Sequence, residues 1–109
     1  MKRLTLAATL LFASPALAQQ VTYVYTPLGY QQIAAVPTGT FLTVPTGARM
    51  AQICVETQAV RYRDDGTAPT ASVGMPQAAA TCFQYSGSLP AIQFIQVTGT
   101  AVLDVSYYR

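Results

Sequence analysis

The residues most able to do chemistry lie in one short run, Arg61-Tyr62-Arg63-Asp64-Asp65. Adjacent carboxylates such as Asp64 and Asp65 can flank a bond that is to be broken, or can hold calcium when a loop brings in more oxygens. A glycine follows them, however, and Asp with Gly is typical of a solvated turn whose charge the preceding arginines balance. We therefore predict a turn here, with no catalytic site and no metal site.

The two arginines of this run could also bind a ligand. Arg61 and Arg63 share one face of a predicted strand, and Tyr62 points to the other face. Alternating arginines beside an aromatic ring can recognise carboxylates, phosphates or sugars, whereas the simpler arrangement pairs them with the adjacent aspartates or with Glu56. We favour the pairing and keep residues 61–65 as the candidate interaction segment.

Most other chemistry is excluded by composition. The chain has no His and no Trp, and its single Lys is Lys2. A Ser-His or Cys-His nucleophile, a Schiff-base lysine after position 2 and a His-rich metal site are therefore impossible. The sequence also contains no G-x-S-x-G, G-x-G-x-x-G or P-loop motif. We expect neither an enzyme nor a bound cofactor.

The first 18 residues are typical of a secretory signal peptide. Lys2 and Arg3 form a positive start, an apolar run covers residues 4–12, and Ala16-Leu17-Ala18 is a small-x-small cleavage site. The apolar run is far shorter than the roughly 20 residues of a spanning helix, and no second run follows. We expect export to the periplasm or beyond, no transmembrane segment, and one domain over residues 19–109.

Removing this leader changes the charge balance. The whole chain carries a formal charge of +2, but Lys2 and Arg3 leave with the leader. The four remaining arginines then equal the four carboxylates in number, so the mature charge is about zero. Because nucleic-acid binding needs clustered basic residues, we expect no nucleic-acid partner.

Cys54 and Cys82 are the only cysteines. An even number of cysteines in an exported chain favours pairing, and we predict one intramolecular disulfide. Both cysteines fall on the polar sides of predicted strands. A bridge could cross two neighbouring strands on an outer face or tie a strand to a loop, and the sequence does not decide between these.

The spacing of glycine and proline predicts an all-β fold. Few segments exceed a dozen residues without one of them, which suits short strands and excludes long helices. β-branched and aromatic residues fill the intervals, and the predicted strands cover residues 21–25, 40–44, 49–55, 59–63, 81–85, 92–97 and 101–108. Residues 75–80 could form a helical turn or a connecting loop.

Alternation within the strands predicts their buried faces. The inward residues are Ala51, Ile53, Val55, Leu103, Val105 and Tyr107. A chain of this length with seven to nine such strands indicates a small antiparallel β-sandwich, either jelly-roll-like or immunoglobulin-like.

The segment Arg61-Tyr62-Arg63-Asp64-Asp65-Gly66-Thr67-Ala68-Pro69-Thr70-Ala71-Ser72-Val73-Gly74-Met75 resembles short proteins of tailed-phage and prophage genomes. The likeness extends over residues 44–109 and includes Phe83-Gln84-Tyr85-Ser86-Gly87 and the closing Val105-Ser106-Tyr107-Tyr108. It implies a small β-sandwich that is a virion component or is virion-associated, and it brings no catalytic residues. The leader and the cysteines depart from that pattern, which indicates a member adapted to export.

These observations favour a non-enzymatic structural or interaction module. We expect it to dock through a sheet face or edge, either to a second copy or to an envelope or virion protein. The alternative is a module that binds an envelope glycan or a similar ligand through Arg61, Arg63 and exposed tyrosines.

Overall fold

Within residues 24–109, the short β-rich runs form eight strands, a number inside the predicted range of seven to nine. The computed structural model describes residues 24–109, and this part of the chain contains no helix. The predicted signal peptide lies outside the described residues. The strands are β1 (Pro27–Ile33), β2 (Thr40–Phe41), β3 (Met50–Glu56), β4 (Val60–Arg63), β5 (Met75–Gln77), β6 (Thr81–Tyr85), β7 (Gln93–Gln96) and β8 (Val102–Tyr108).

The strands form two four-stranded sheets. Sheet A has the order β1-β8-β3-β6, and sheet B has the order β2-β7-β4-β5. All six strand pairings are antiparallel. Eight strands divided four and four in this order form a jelly roll, whereas a constant-type immunoglobulin sandwich divides seven strands four and three. The predicted β-sandwich is therefore confirmed, and its topology is the jelly roll.

The core lies between the sheets, on the faces that alternation predicts. The inward residues of β3 and β8 are at most 1 % exposed. Sheet B contributes Val60 and Phe94, and the loops contribute Val36, Leu89 and Ile92. A period of two with apolar residues on one face was therefore sufficient to locate the centre of sheet A.

The first strand was not predicted. The sequence favoured a strand over residues 21–25, but Val24 and Tyr25 lie outside any strand, and residues 21–23 are not described. The strand begins instead at Pro27, which is tolerated because β1 is a sheet edge. Its register shifts between Pro27 and Gly29. The pairing with β8 is extended by two backbone hydrogen bonds of 2.9 Å that Thr26 and Arg109 exchange.

Gln31 holds the edge of sheet A to the adjoining loop. Its side-chain oxygen accepts hydrogen bonds from the Tyr107 hydroxyl at 2.7 Å and from the Thr43 backbone N–H at 3.0 Å. The predicted strand over residues 40–44 is consequently shorter, because Thr43 bonds to this side chain and only Thr40 and Phe41 pair with β7.

Residues 75–80, considered as a helical turn or a loop, instead contain the edge strand β5. Pro76 sits in the middle of it, opposite Arg61 of β4. After β5 the chain turns through Ala80, whose φ is 60°, and enters β6. A short strand that contains proline is characteristic of a sheet edge, which is why composition alone did not indicate it.

The predicted disulfide is confirmed. Cys54 of β3 and Cys82 of β6 are directly opposite each other, with their Cα atoms 4.0 Å apart. The bridge lies on the outer face of sheet A, which is the first of the two arrangements that the sequence left open. It ties the edge strand β6 covalently to the interior strand β3.

No helix among residues 24–109 is long and apolar enough to cross a membrane.

Candidate functional site

The candidate segment Arg61–Asp65 comprises the end of β4 and the start of the following loop. Tyr62 points between the sheets, opposite to its arginine neighbours. Its ring stacks on Phe83 of sheet A, with centroids 5.1 Å apart and planes 10° from parallel, and it also contacts Phe94. The tyrosine of the segment therefore joins the two layers and lies away from the outer surface.

Arg61 holds the loop that follows β4. Its guanidinium donates to the backbone carbonyl of Ala71 at 3.1 Å and to that of Gly74 at 2.8 Å. Since Arg61 shares the outer face of sheet B with Ile95, the part of the loop that contains Ala71 and Gly74 lies against that face. The burial of Pro69 in the loop agrees with this, as does that of Ile95, which is only 9 % exposed. The part of the outer face of sheet B around Arg61 and Ile95 is thus covered by the chain itself.

Arg63 pairs with Asp65, one of the three carboxylates that the simpler interpretation of the sequence allows. The same interpretation was wrong for Arg61, whose guanidinium binds backbone carbonyls and no carboxylate among the described residues. Its Nε donates to Oδ1 of Asp65 at 3.0 Å, and its Nη2 makes a second contact to Oδ2 of the same carboxylate. The hydrogen bonds from Arg63 lower the pKa of Asp65. Because both groups are solvent-accessible, this pair orients the turn more than it stabilises the fold.

Asp64 joins the two sheets at the same end of the sandwich. Its Oδ2 accepts a hydrogen bond of 2.7 Å from the hydroxyl of Tyr85, at the end of β6. Burial and this hydrogen bond raise the pKa of Tyr85 to about 12. A Cβ atom at Gly87 would lie 2.5 Å from the Tyr85 oxygen, so the glycine gives this ring the space that it occupies. Sequence reasoning gave no role to Tyr85 or Gly87.

A shallow depression of about 370 Å³ lies beside these groups. Val73 and Met75 form its apolar side and are 53 % and 58 % exposed. Its charged residues are Arg63, Asp64 and Asp65, each of which is bonded to another side chain of the same protein. Three residues of the predicted segment therefore line this depression. The polar atoms of their side chains are already bonded within the protein, where they hold the loop and the sheets in place.

The outer face of sheet A differs sharply from that of sheet B. A row of polar side chains crosses all four strands in register, and we call it the polar row: Tyr30, Ser106, Gln52 and Gln84. Tyr30 is 64 % exposed, and Gln52 and Gln84 are exposed as well. Amide groups both donate and accept hydrogen bonds, so the polar row presents both kinds of group to a partner and contains no charged side chain.

A second row borders the first and contains the acidic residue Asp104. One oxygen of Asp104 accepts hydrogen bonds from Tyr30 at 2.8 Å and from Gln32 at 2.9 Å. The Tyr30 bond in particular lowers the pKa of Asp104, while the neighbouring Asp104 raises the pKa of Glu56. These contacts fix the Tyr30 ring at the edge of the polar row.

Sequence reasoning missed the polar row because it missed β1. Without that strand, Tyr30 and Gln32 had no assigned face. The signal was present, since polar residues alternate in β3 at Gln52, in β6 at Gln84 and in β8 at Ser106, but only the pairing of the strands places them side by side.

Among residues 24–109, no three His, Cys, Asp or Glu side chains lie close enough together to hold a metal ion. In the comparisons with known proteins, no family model, no curated protein and no solved structure matches the chain.

Proposed function

We propose that this protein is a non-enzymatic, exported structural or interaction module that docks to an envelope or virion partner through the outer face of sheet A. One observation carries the proposal. The charged side chains best suited to chemistry bind parts of their own chain, while the polar row remains open on the opposite side of the sandwich.

The fold supports this proposal by analogy. Jelly rolls occur in viral capsid proteins and in lectins, although one fold serves many functions. The resemblance of residues 44–109 to small phage proteins points the same way. The Cys54–Cys82 bridge suits an oxidising compartment outside the cytoplasm, which agrees with a cleaved leader and a periplasmic or extracellular location.

Site-specific photocrosslinking in the producing cell tests the docking face. A benzophenone amino acid replaces Gln52, at the centre of the polar row, or Thr70, which is exposed in the loop that covers sheet B. We expect a discrete adduct from position 52 and none from position 70. Equal labelling from both positions, or none from position 52, would contradict docking through sheet A.

Glycan binding is the second candidate, and the polar row favours it as well. Tyr30 offers an exposed ring and its neighbours offer amides, a combination suited to the apolar faces and hydroxyls of a sugar. Arg61 and Arg63, which the sequence suggested for this role, are engaged within the molecule. Binding to a glycan array that Tyr30→Ala abolishes and Arg63→Ala leaves intact would support this function over protein docking.

A further inference from the structure

Three of the four sheet edges carry features that oppose pairing with another strand. β1 begins with Pro27 and has an irregular register beside it. β2 has only two residues, and β5 has three with Pro76 in the middle. Proline, irregular register and short length are the usual means by which edge strands avoid association.

The fourth edge, β6, has none of these features. Its sequence, Thr-Cys-Phe-Gln-Tyr, contains no proline, glycine or charged residue. Within residues 24–109, β6 pairs only with β3, and no backbone hydrogen bond outside that pairing involves residues 81–85. One side of this five-residue strand therefore offers unpaired backbone groups.

The register identifies these groups. The Cα atoms of Cys54 and Cys82 are 4.0 Å apart, which is the short spacing of a non-hydrogen-bonded antiparallel pair. Cys82, and by alternation Gln84, therefore direct their backbone N–H and C=O groups away from β3. Phe83, between them, directs its own groups toward Ile53 of β3.

We propose that β6 pairs antiparallel with β6 of a second copy of this chain about a two-fold axis. Phe83 then faces Phe83 of the second copy, and Cys82 faces Gln84 of the second copy. The two N–H and two C=O groups of each strand meet their counterparts in four hydrogen bonds. Two copies of sheet A become one eight-stranded sheet, and the contact is isologous, as most homodimer interfaces are.

The choice of a second copy rests on self-complementarity. Residues 82–84 present a donor and an acceptor at each of two equivalent positions, which is what a two-fold antiparallel pairing requires.

Residues 24–109 carry four arginines and four carboxylates, and none of them lies in β6, so like-charge repulsion does not oppose the contact. The disulfide keeps the strand attached to β3, which reduces the ordering cost of pairing. The inference stands whether or not the polar row binds a partner.

Light scattering after size-exclusion chromatography tests the proposal on the mature protein over a dilution series. We expect twice the monomer mass at high concentration. Gln84→Pro removes the outward N–H of residue 84 in each copy and should weaken association by roughly tenfold or more, since each lost donor also leaves an acceptor unpaired.

Gln84→Lys provides a second variant if the proline version fails to fold by circular dichroism. Gln52→Lys is its matched control, because Gln52 faces Gln84 across β3 and β6 and is also exposed, but lies in an interior strand. We expect Gln84→Lys to weaken the dimer and Gln52→Lys to preserve it. Hydrogen exchange should be slow at the Cys82 and Gln84 amides in the dimer and fast after dilution. A monomer at every concentration, or a dimer unaffected by both Gln84 variants, would overturn the proposal.

Discussion

Removing the disulfide should lower stability by an amount that its position predicts. The double variant Cys54→Ala/Cys82→Ala opens a ring whose ends are 28 residues apart. In the chain-entropy model, this separation corresponds to about 3.6 kcal/mol at 25 °C. Both side chains lie on the outer face of sheet A, so the change leaves no cavity in the core. For a domain of this size, the expected fall in Tm is roughly 14–29 °C.

Urea denaturation of the wild type and the double variant measures this difference. Circular dichroism or tyrosine fluorescence can follow it, since the chain has seven Tyr and no Trp. The m value should rise in the variant, because an unfolded chain without the ring exposes more surface. The free energy of unfolding of the wild type in reductant should match that of the variant, and reductant should not change the free energy of unfolding of the variant. A loss below about 1 kcal/mol would refute the entropic reasoning, because the ring would then restrict the unfolded chain too little.

Three further predictions concern the surroundings of Tyr85 and the loop that follows β4. Gly87→Ala should cost about 1–3 kcal/mol in urea denaturation, because the new methyl group displaces the Tyr85 ring from Asp64. The pKa values of Tyr85 and Tyr107 are both raised to about 12, because the fold favours their protonated forms. Their full contribution to the free energy of unfolding should therefore be present below pH 10, and it should decrease as the pH rises toward 12. Tyr85→Phe should reduce the loss measured between about pH 9 and about pH 11.5, and an unchanged loss would contradict this assignment. Arg61→Ala should speed hydrogen exchange and proteolysis in residues 64–74 without changing the strands, and unaltered protection of that loop would show that the arginine does not hold it.

The interior of sheet A could be predicted from the sequence, whereas its edge could not. In β3 and β8, every second residue is apolar and points inward, and each of these inward residues is buried. β1 and β5 are edge strands that tolerate proline, and β1 has only partly buried residues on its inner side. The sequence signals of strand propensity and of alternation are weak in such strands, because an edge strand pairs with only one neighbouring strand.

The candidate site likewise contains one contact that the sequence could predict and others that it could not. The adjacent Asp and Arg residues indicated that the arginines pair with nearby carboxylates, and this holds for Arg63 with Asp65, which lie in one turn, but not for Arg61. The contacts of Arg61 with Gly74 and of Asp64 with Tyr85 join residues 13 and 21 positions apart. Only the folded arrangement of both sheets brings these groups together, and no spacing rule in the sequence contains that information.

The hydrogen bonds between Thr26 and Arg109 determine how the domain responds to mechanical load. The two residues are directly opposite each other at one end of neighbouring antiparallel strands. A force that separates them loads the β1–β8 hydrogen bonds one after another, like a zipper, and does not shear them together. β1 should therefore peel away at low tension, while the covalent ring between Cys54 and Cys82 limits any later extension. If this protein resists force in an assembly, the load must enter elsewhere than through Thr26 and Arg109.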